Sequence, residues 1–329
     1  MLQNNTPAFT KASVGEAKIN FAFWGTGPLA ESVLYNLSQN NFLPSLIITS
    51  PDKKVGRHFQ IEKNILATWA EMKNIPCWQP TNVKDLDIKN SPLSLSPNNS
   101  KNSKNNFNLF IVASYPKILN PEILNIPKFG NLNVHPSLLP KYRGPSPIQT
   151  AILNGDEKTG VTILQLDAEI DHGPILIQKE VEITKQDNNV TLEKKCGLEG
   201  GQILSEILEH YINNNLKLIP QNHEQATFTR KFKTEDGEIK LEQAASVLHN
   251  KFQALLPHIP IYFSIQHQNK KMRVKITEII LTDNSAENKK ELQKKAMQKA
   301  EEIILKVIPE NKSEISWADF QRGYLQNKI

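Results

Sequence analysis

The order of the first elements constrains the fold of this chain most. An apolar run at 19–24, typical of a buried strand, leads into a Gly-Thr-Gly-Pro turn at 25–28. Apolar residues then recur at helical spacing, and a second strand-like run follows at 46–49. A strand, a helix and a second strand in this order form a parallel βαβ unit, so the sequence predicts an α/β fold.

The glycine turn allows two interpretations. Together with Ala30 it matches the dinucleotide-binding fingerprint Gly-x-Gly-x-x-Ala. That fingerprint also needs an acidic residue at the end of the second strand, whereas Asp52 follows Ser50-Pro51 in a loop rich in cations. A tight structural turn is therefore the preferred interpretation, and nucleotide binding is the alternative.

Composition narrows the class of protein. The 329 residues are 39% hydrophobic and 22% charged, which suits an ordinary soluble protein with room for two domains. No apolar run approaches the ~20 residues of a membrane helix, so a cytoplasmic protein without membrane contact is expected. Cys77 and Cys196 have no companions at metal-ligand spacing, which predicts reduced thiols and no metal. A formal net charge of +5 is compatible with a nucleic-acid or phosphate-bearing partner.

Further elements follow from apolar periodicity and from one biased segment. Residues 90–106 are almost entirely Asn, Ser, Lys and Pro, which predicts a disordered insertion. Outside it, the patterns predict strands at 76–79, 109–113, 161–166 and 175–183, and helices at 61–73, 147–154 and 191–216.

A group of cations follows the second strand. Lys53, Lys54, Arg57 and His58 lie close together, with Gly56 between them. Lys and Arg side chains that reach phosphates dominate the positioning of proteins on nucleic acid. A contact with an RNA backbone and a simple solvated loop are both compatible with this pattern.

The stretch from Gly130 to Gly173 holds the strongest candidates for chemistry. Asn133 and His135 stand two apart at the end of a short apolar run, so on a strand their side chains project from one face. Asp171 comes later, and a carboxylate beside an imidazole favours the charged imidazolium and fixes its orientation. The trio predicts an active site with proton transfer and stabilisation of negative charge, although singly each residue is more often structural.

A loop rich in proline separates His135 from Asp171. It contains Pro136, Pro140, Pro145 and Pro147. Proline lowers the entropy cost of holding an irregular backbone in one shape. The loop therefore suits the wall of a ligand pocket.

With these residues assembled, the chain resembles the methionyl-tRNA formyltransferase family over most of 18–245. The resemblance is strongest from 131 to 176, and a later segment at 229–237 resembles the family's linker. The motifs that carry it, in the family's order and spacing, are Asn133-Val134-His135, Ser137-Leu138-Leu139-Pro140, Arg143-Gly144, Pro147-Ile148-Gln149, Gly160-Val161-Thr162-Ile163, Asp171-x-Gly173, Thr229-Arg230-Lys231 and Glu235-Asp236-Gly237.

This resemblance implies transfer of a formyl group from the co-substrate 10-formyltetrahydrofolate to the amine of initiator methionyl-tRNA, for translation initiation. It implies Asn133, His135 and Asp171 as catalytic residues, no metal, and a monomer. The folate-binding residues that it implies are Tyr115, Ser137, Leu138, Leu139, Pro140 and Pro147. The tRNA-binding residues that it implies are Lys53, Lys54, Arg57 and Arg143.

The implied fold is α/β, with a Rossmann-like, mostly parallel sheet and flanking helices, plus a smaller β-rich C-terminal domain. That second domain is expected to be OB-like in a degenerate form, because no glycine lies between Gly237 and Gly323. The expected parts are a loose leader at 1–16, the catalytic formyltransferase domain at 17–216, a linker at 217–236 and a C-terminal tRNA-binding-like domain at 237–329.

Three places depart from the pattern of the family. Gly27 precedes Pro28 where the family has Gly-Thr-Pro, and Pro116 stands where the family has glycine, which predicts a different pocket wall beside Tyr115. In the glycine-poor C-terminal region, strands are predicted at 261–265, 272–281 and 303–308, with a helix at 285–302. The lysines of that helix favour a solvated surface over a tRNA contact; they are Lys289, Lys290, Lys294, Lys295 and Lys299.

Two alternatives stay open. The trio and the Ser-Leu-Leu-Pro loop are shared with formyltransferases that act on a nucleotide sugar or another small amine, whereas the stretch at 145–149 and the C-terminal region favour tRNA. The second alternative is a non-catalytic RNA-binding protein on a formyltransferase scaffold. The intact trio argues against it.

Overall fold

The structure is a computed structural model that describes residues 19–55, 60–81, 91–93, 107–280 and 303–325. By internal packing the chain divides into two units. The first is Met1–Arg143, Gly160–Val181 and Glu193–Thr227, and the second is Gly144–Thr159, Glu182–Leu192 and Phe228–Ile329. Neither unit is one continuous segment, and the expected division at residues 216 and 237 stays a prediction.

The elements of the described residues are numbered in chain order. The strands are β1 (Phe21–Gly25), β2 (Leu46–Ile48), β3 (Lys53–Val55), β4 (Gln60–Glu62), β5 (Cys77–Trp78), β6 (Leu109–Ala113), β7 (Asn131–His135), β8 (Lys158–Gln165), β9 (Ile175–Glu182), β10 (Tyr262–His267), β11 (Lys270–Ile279), β12 (Ile304–Pro309) and β13 (Ile315–Ser316). The helices are α1 (Gly27–Gln39), α2 (Ile65–Lys73), α3 (Pro121–Leu124), α4 (Pro147–Asn154), α5 (Asn189–Ile212), α6 (Ala245–Leu255) and α7 (Trp317–Phe320).

A seven-stranded sheet forms the centre of the first unit, in the order β5-β2-β1-β6-β7-β8-β9. The pairs from β5 to β7 are all parallel, and β8 joins β7 in antiparallel orientation. β1, β6 and β7 are buried along their whole length, as expected of strands covered on both faces. This confirms the predicted α/β fold with a mostly parallel sheet and flanking helices.

The first turn is shaped by close packing. A Cβ atom on Gly25 would lie 2.7 Å from Ala30 Cβ and 2.8 Å from the carbonyl oxygen of Ala113. Gly27 has φ +78°, in the left-handed region that favours glycine. Asp52 accepts hydrogen bonds from Asn64 N and Gln79 Nε2, which lower the pKa of its carboxyl. These contacts favour the structural interpretation of the turn.

The cationic segment differs from its prediction. Instead of a loop that leads into a helix at residue 61, β3 and β4 pair as an antiparallel hairpin. α2 begins only at Ile65, because the side chain of Asn64 accepts from Leu66 N and caps the helix there. Periodicity alone did not separate the short strand β4 from the helix that follows it.

The second unit contains a four-stranded antiparallel sheet, β10-β11-β12-β13. A parallel bridge between Glu238 and Tyr262 extends its edge. Phe263 packs edge-on against Trp317 and Phe320 of α7. The strands expected at 261–265, 272–281 and 303–308 are found within one or two residues, α6 was not predicted, and the OB-like character stays a prediction.

Several expectations fall outside the described residues: the leader at 1–16, the lysine-rich helix at 285–302 and most of the insertion at 90–106. Within that insertion the expectation of disorder is wrong at Leu93, which is fully buried in a core cluster with Trp24, Phe107 and Phe110. Among the residues that the structure describes, no helix combines the length and apolar character needed to cross a membrane.

Candidate active site

Strand β7 presents Asn133 and His135 on one face. The two residues are 9% and 4% exposed. They stand opposite Leu164 and Thr162 of β8 in the antiparallel register. The spacing of two along a strand therefore produces the predicted pair of neighbouring polar side chains.

Asp171 joins this pair from the loop after β8. Its Oδ1 atom accepts a hydrogen bond from Asn133 Nδ2 at 3.2 Å and lies 3.5 Å from His135 Nδ1. The backbone of Asp171 is left-handed, with φ +49°, which few residues other than glycine adopt. The structure thus places the three predicted catalytic residues together.

Gly173 allows this loop to return beside β8. A Cβ atom at that position would overlap the carbonyl oxygen of Gln165. The glycine of the Asp-x-Gly motif is therefore required by backbone packing, while the aspartate supplies the functional group.

The second ring nitrogen of His135 has a backbone partner. His135 Nε2 lies 3.0 Å from the carbonyl oxygen of Tyr142, which can only accept a hydrogen bond. Nε2 therefore carries a hydrogen, and Nδ1 is the nitrogen that faces Asp171. An amide donor, an imidazole and a carboxylate meet here away from bulk water, an arrangement that can stabilise an oxyanion and move a proton.

Part of the predicted folate loop is buried inside the fold. Ser137 is fully buried and its hydroxyl donates to the carbonyl oxygen of Lys141 at 2.6 Å. Leu139 is 3% exposed and packs in a small core cluster with Leu164 and Ile175. These two residues shape the loop, and their burial leaves them little surface for contact with a ligand.

The other predicted folate residues keep accessible surface or a polar group. Leu138 and Pro140 are partly exposed. Tyr115 follows β6, and its buried hydroxyl has no hydrogen-bond partner within the described chain. Burial raises the pKa of this phenol to about 12, so it stays a neutral donor. Pro147, in the second unit, is buried at the first turn of α4.

Arg143 is not placed as a tRNA contact. Its side chain is 3% exposed, and Nε and Nη2 donate to Gln221 Oε1 at 3.1 and 2.7 Å. Nη2 also donates to His223 Nδ1 at 2.8 Å. A buried guanidinium that is bound inside the fold does not reach a phosphate, and this argues against the expected role.

The remaining predicted tRNA residues belong to the hairpin. Lys53 is exposed on β3, while Arg57 and the side chain of Lys54 lie outside the described residues. Asn64 holds the base of the hairpin, since its Nδ2 donates to Thr26 Oγ1 at 3.1 Å and to the Ser50 carbonyl oxygen at 3.0 Å.

Four residues that shape the site were not predicted. Thr162 Oγ1 donates to the Ser137 carbonyl and accepts from Gln178 Nε2, and Gln178 also donates to the Leu139 carbonyl. Thr162 belongs to a noted family motif and pairs with His135, a signal that could have identified it. No local sequence pattern identifies the other three. Gln178 and Gln221 bond to residues that are distant in sequence, and Tyr142 contacts His135 through its backbone carbonyl.

Comparison with known proteins agrees with this geometry. A family model described as "Formyl transferase" matches residues 17–208. A methionyl-tRNA formyltransferase from Sulfurihydrogenibium sp. (strain YO3AOP1) is 37% identical over 234 residues, which cover 71% of this chain and 72% of that protein.

Two solved structures are similar in fold. A methionyl-tRNA formyltransferase from Clostridium thermocellum has a TM-score of 0.53 at 13% identity, over 91% of this chain and 100% of that chain. An N-formyltransferase from Helicobacter canadensis, in complex with folinic acid and dTDP-3-aminofucose, has a TM-score of 0.52 at 21% identity, over 82% and 93% of the two chains. At these identities the likeness concerns the fold alone.

Proposed function

Because this chain belongs to the methionyl-tRNA formyltransferases of the formyl transferase family, its reaction is formyl transfer to methionyl-tRNA, and we propose that Asn133, His135 and Asp171 carry it out. The observation that carries this proposal is the meeting of the Asn133 amide and the His135 imidazole at Asp171 Oδ1.

The proposed chemistry begins with attack of the methionyl amine on the formyl carbon. A new carbon–nitrogen bond forms, and the formyl oxygen becomes an oxyanion that Asn133 Nδ2 and protonated His135 Nδ1 stabilise as donors. When the intermediate collapses, the bond from the formyl carbon to folate N10 breaks and the carbonyl re-forms. The proton lost by the amine passes to Asp171 and is delivered through water to N10.

We propose 10-formyltetrahydrofolate as the donor, held beside the proline-rich loop. Leu138 and Pro140 offer apolar surface there, and the Tyr115 hydroxyl is a buried donor that still lacks a partner within the described residues. Ser137 and Leu139 support the loop from inside.

For the acceptor, the sequence relative at 37% identity favours tRNA over a sugar amine. The exposed Lys53 on the hairpin and the net charge of +5 suit a polyanionic partner. The sugar-acting neighbour shares the fold at 21% identity, which carries no argument about substrate.

The test is single-turnover formylation of methionyl-tRNA with 10-formyltetrahydrofolate, beside a panel of nucleotide-linked amino sugars. We expect formylation of the tRNA alone. His135→Ala and Asn133→Ala should each lower the rate by about 10²- to 10³-fold, whereas His210→Ala, on α5, should not change it. Formylation of the sugars only, or full activity of His135→Ala, would contradict the proposal.

A further inference from the structure

We propose that residues 219–227, here called the strap, position His135 by fastening the two loops that hold its ring nitrogens. This inference rests on the proposed function, because it assigns a positioning role for the same reaction. The strap lies within the segment that the sequence predicts to be a linker. All of its contacts described below lie within the first unit.

The strap enters beside β9 and holds the Asp171 loop. Ile219 and Ile175 exchange two backbone hydrogen bonds of 2.8 Å. Two residues later, Gln221 Nε2 donates to the carbonyl oxygens of Asp171 and Gly173 at 2.8 and 2.7 Å. Gln221 is 6% exposed, so these bonds are made away from solvent. The side chain of one residue therefore spans the turn that presents the catalytic carboxylate.

Arg143 fixes the orientation of this amide. A guanidinium only donates, so the Gln221 atom that takes both of its hydrogen bonds must be the oxygen. The amide nitrogen is then left to face the two carbonyl oxygens of the loop. Arg143 thus acts as the anchor of the strap.

A stacked pair of imidazoles closes the other side of the same loop. His172, next to Asp171, stacks on His223 of the strap, with ring centroids 4.1 Å apart and planes 5° apart. His172 Nδ1 lies 2.7 Å from Asp167 Oδ2, and His223 Nδ1 accepts from Arg143. Both rings are therefore fixed by partners of their own.

The end of the strap holds the proline-rich loop. Thr227 N donates to the Pro140 carbonyl at 3.2 Å, and Arg143 N donates to the Thr227 carbonyl at 2.8 Å. Tyr142 N donates to Thr227 Oγ1 at 2.8 Å. The Thr227 side chain thus holds the backbone N–H of Tyr142, the residue whose carbonyl oxygen accepts from His135 Nε2.

These contacts explain how two left-handed residues persist on either side of His135. Tyr142 has φ +62° and Asp171 has φ +49°. Such backbone is unfavourable for residues with a side chain and persists where the surroundings fix it. Each of the two is tied to the strap, one through Thr227 and the other through Gln221. The strap therefore positions the two groups that face the His135 ring nitrogens, which are the Tyr142 carbonyl at Nε2 and the Asp171 carboxylate at Nδ1.

The experiment uses the full-length enzyme with Thr227→Val, which removes the hydroxyl at nearly constant volume, and Thr227→Ser, which keeps it. We expect Thr227→Val to lower kcat about tenfold with KM for both substrates unchanged, since small misplacements of catalytic groups have large effects on rate. Thr227→Ser should stay within about twofold of the parent. Gln221→Met keeps the length of the side chain but loses both donors and the oxygen that accepts from Arg143, so it should lower kcat more, by about 10²-fold.

A second readout separates positioning from folding. Imidazole ¹⁵N spectra, with His135 assigned by its absence in His135→Ala, should show hydrogen on Nε2 in the parent and a weaker Nε2–H hydrogen bond in Thr227→Val. Ser205→Ala, which removes a hydroxyl bond to the Gln202 carbonyl on α5, is the control and should change neither kcat nor the spectrum.

Several outcomes would overturn the proposal that the strap positions His135. One is an unchanged kcat in both Thr227→Val and Gln221→Met, and another is a loss of kcat that only follows the folded fraction measured by circular dichroism. The others are a loss of kcat in Thr227→Ser equal to that in Thr227→Val, and a His135 spectrum that does not change in Thr227→Val. A parent enzyme that formylates no tRNA would instead overturn the proposed function, so the two failures are distinct.

Discussion

At the scale of residues, the imidazole of His135 has a partner at both ring nitrogens. The carboxylate at Nδ1 could be predicted, because aspartate and histidine are visible in a motif. The carbonyl of Tyr142 at Nε2 could not, since every residue carries a carbonyl and only the course of the loop selects this one. The sequence identifies the functional side chains. Their orientation depends on the conformation of the backbone, which the sequence does not show.

Gly173 offers a prediction at this scale. Gly173→Ala would set a Cβ atom against the Gln165 carbonyl oxygen, so the loop that carries Asp171 must move. We expect a loss of about 2 kcal/mol or more in unfolding free energy, as for other overpacked sites, and a fall in kcat of at least about tenfold. Urea unfolding and single-turnover kinetics measure the two effects.

Gly323→Ala is the matched control, because a Cβ atom there meets nothing within 4 Å. It should leave both activity and stability nearly unchanged. A Gly173→Ala variant as stable and as active as this control would show that the loop does not need the glycine.

At the scale of elements, α5 carries a largely buried carboxyl. Burial raises the pKa of Glu193 from 4.5 to about 7. The folded protein therefore binds a proton there more tightly than the unfolded chain does. The stability that comes from keeping this carboxyl protonated is fully present below pH 4.5 and is lost as the pH rises through about 7.

Glu193→Gln should remove that pH dependence. Relative to the parent, the variant should gain unfolding free energy between pH 5 and pH 8, by at most on the order of 3 kcal/mol. Urea unfolding across this range tests it, with Glu206→Gln on the exposed face of α5 as the control. A difference between variant and parent that does not change with pH would refute the prediction.

The hairpin of β3 and β4 gives the second prediction for an element. Asn64→Ala would remove the cap of α2 and the bonds to Thr26 and Ser50, at a cost of about 1–2 kcal/mol in stability. If the hairpin meets tRNA, KM for tRNA should rise several-fold while KM for folate does not change. Asn120→Ala removes a comparable cap from α3 and should leave both KM values alone. Equal KM effects in the two variants would count against a tRNA role of the hairpin.

At the scale of the molecule, the sequence predicted the main strands in their order along the chain and the parallel sheet, because buried strands leave continuous apolar runs and glycine turns mark where a run ends. It missed the hairpin of β3 and β4 and the helix α6, whose formation depends on contacts more than on periodicity. The three proposed catalytic residues were predicted from one resemblance and one spacing. The burial of Arg143 with Gln221 could not be predicted, because a cation in a loop looks the same in sequence whether it faces solvent or is buried.

The net charge of +5 leads to a prediction for the whole protein. Affinity for tRNA should fall as salt rises, because bound cations release counterions from the phosphates. Lys53→Ala should reduce the slope of log affinity against log salt by about 1. Lys194→Ala, on the exposed face of α5, should leave the slope unchanged. An unaltered slope in Lys53→Ala would show that this lysine does not contact a tRNA phosphate.

The strap also has a consequence for the order of events during synthesis. A nascent chain that has reached residue 216 already contains Asn133, His135 and Asp171, yet the bonds that Gln221 and Thr227 give to their loops are still missing. Tyr142 and Thr227 are 85 residues apart, so the backbone around His135 is completed by a segment that leaves the ribosome much later. On the ribosome, the catalytic groups are therefore present well before the geometry that makes them competent.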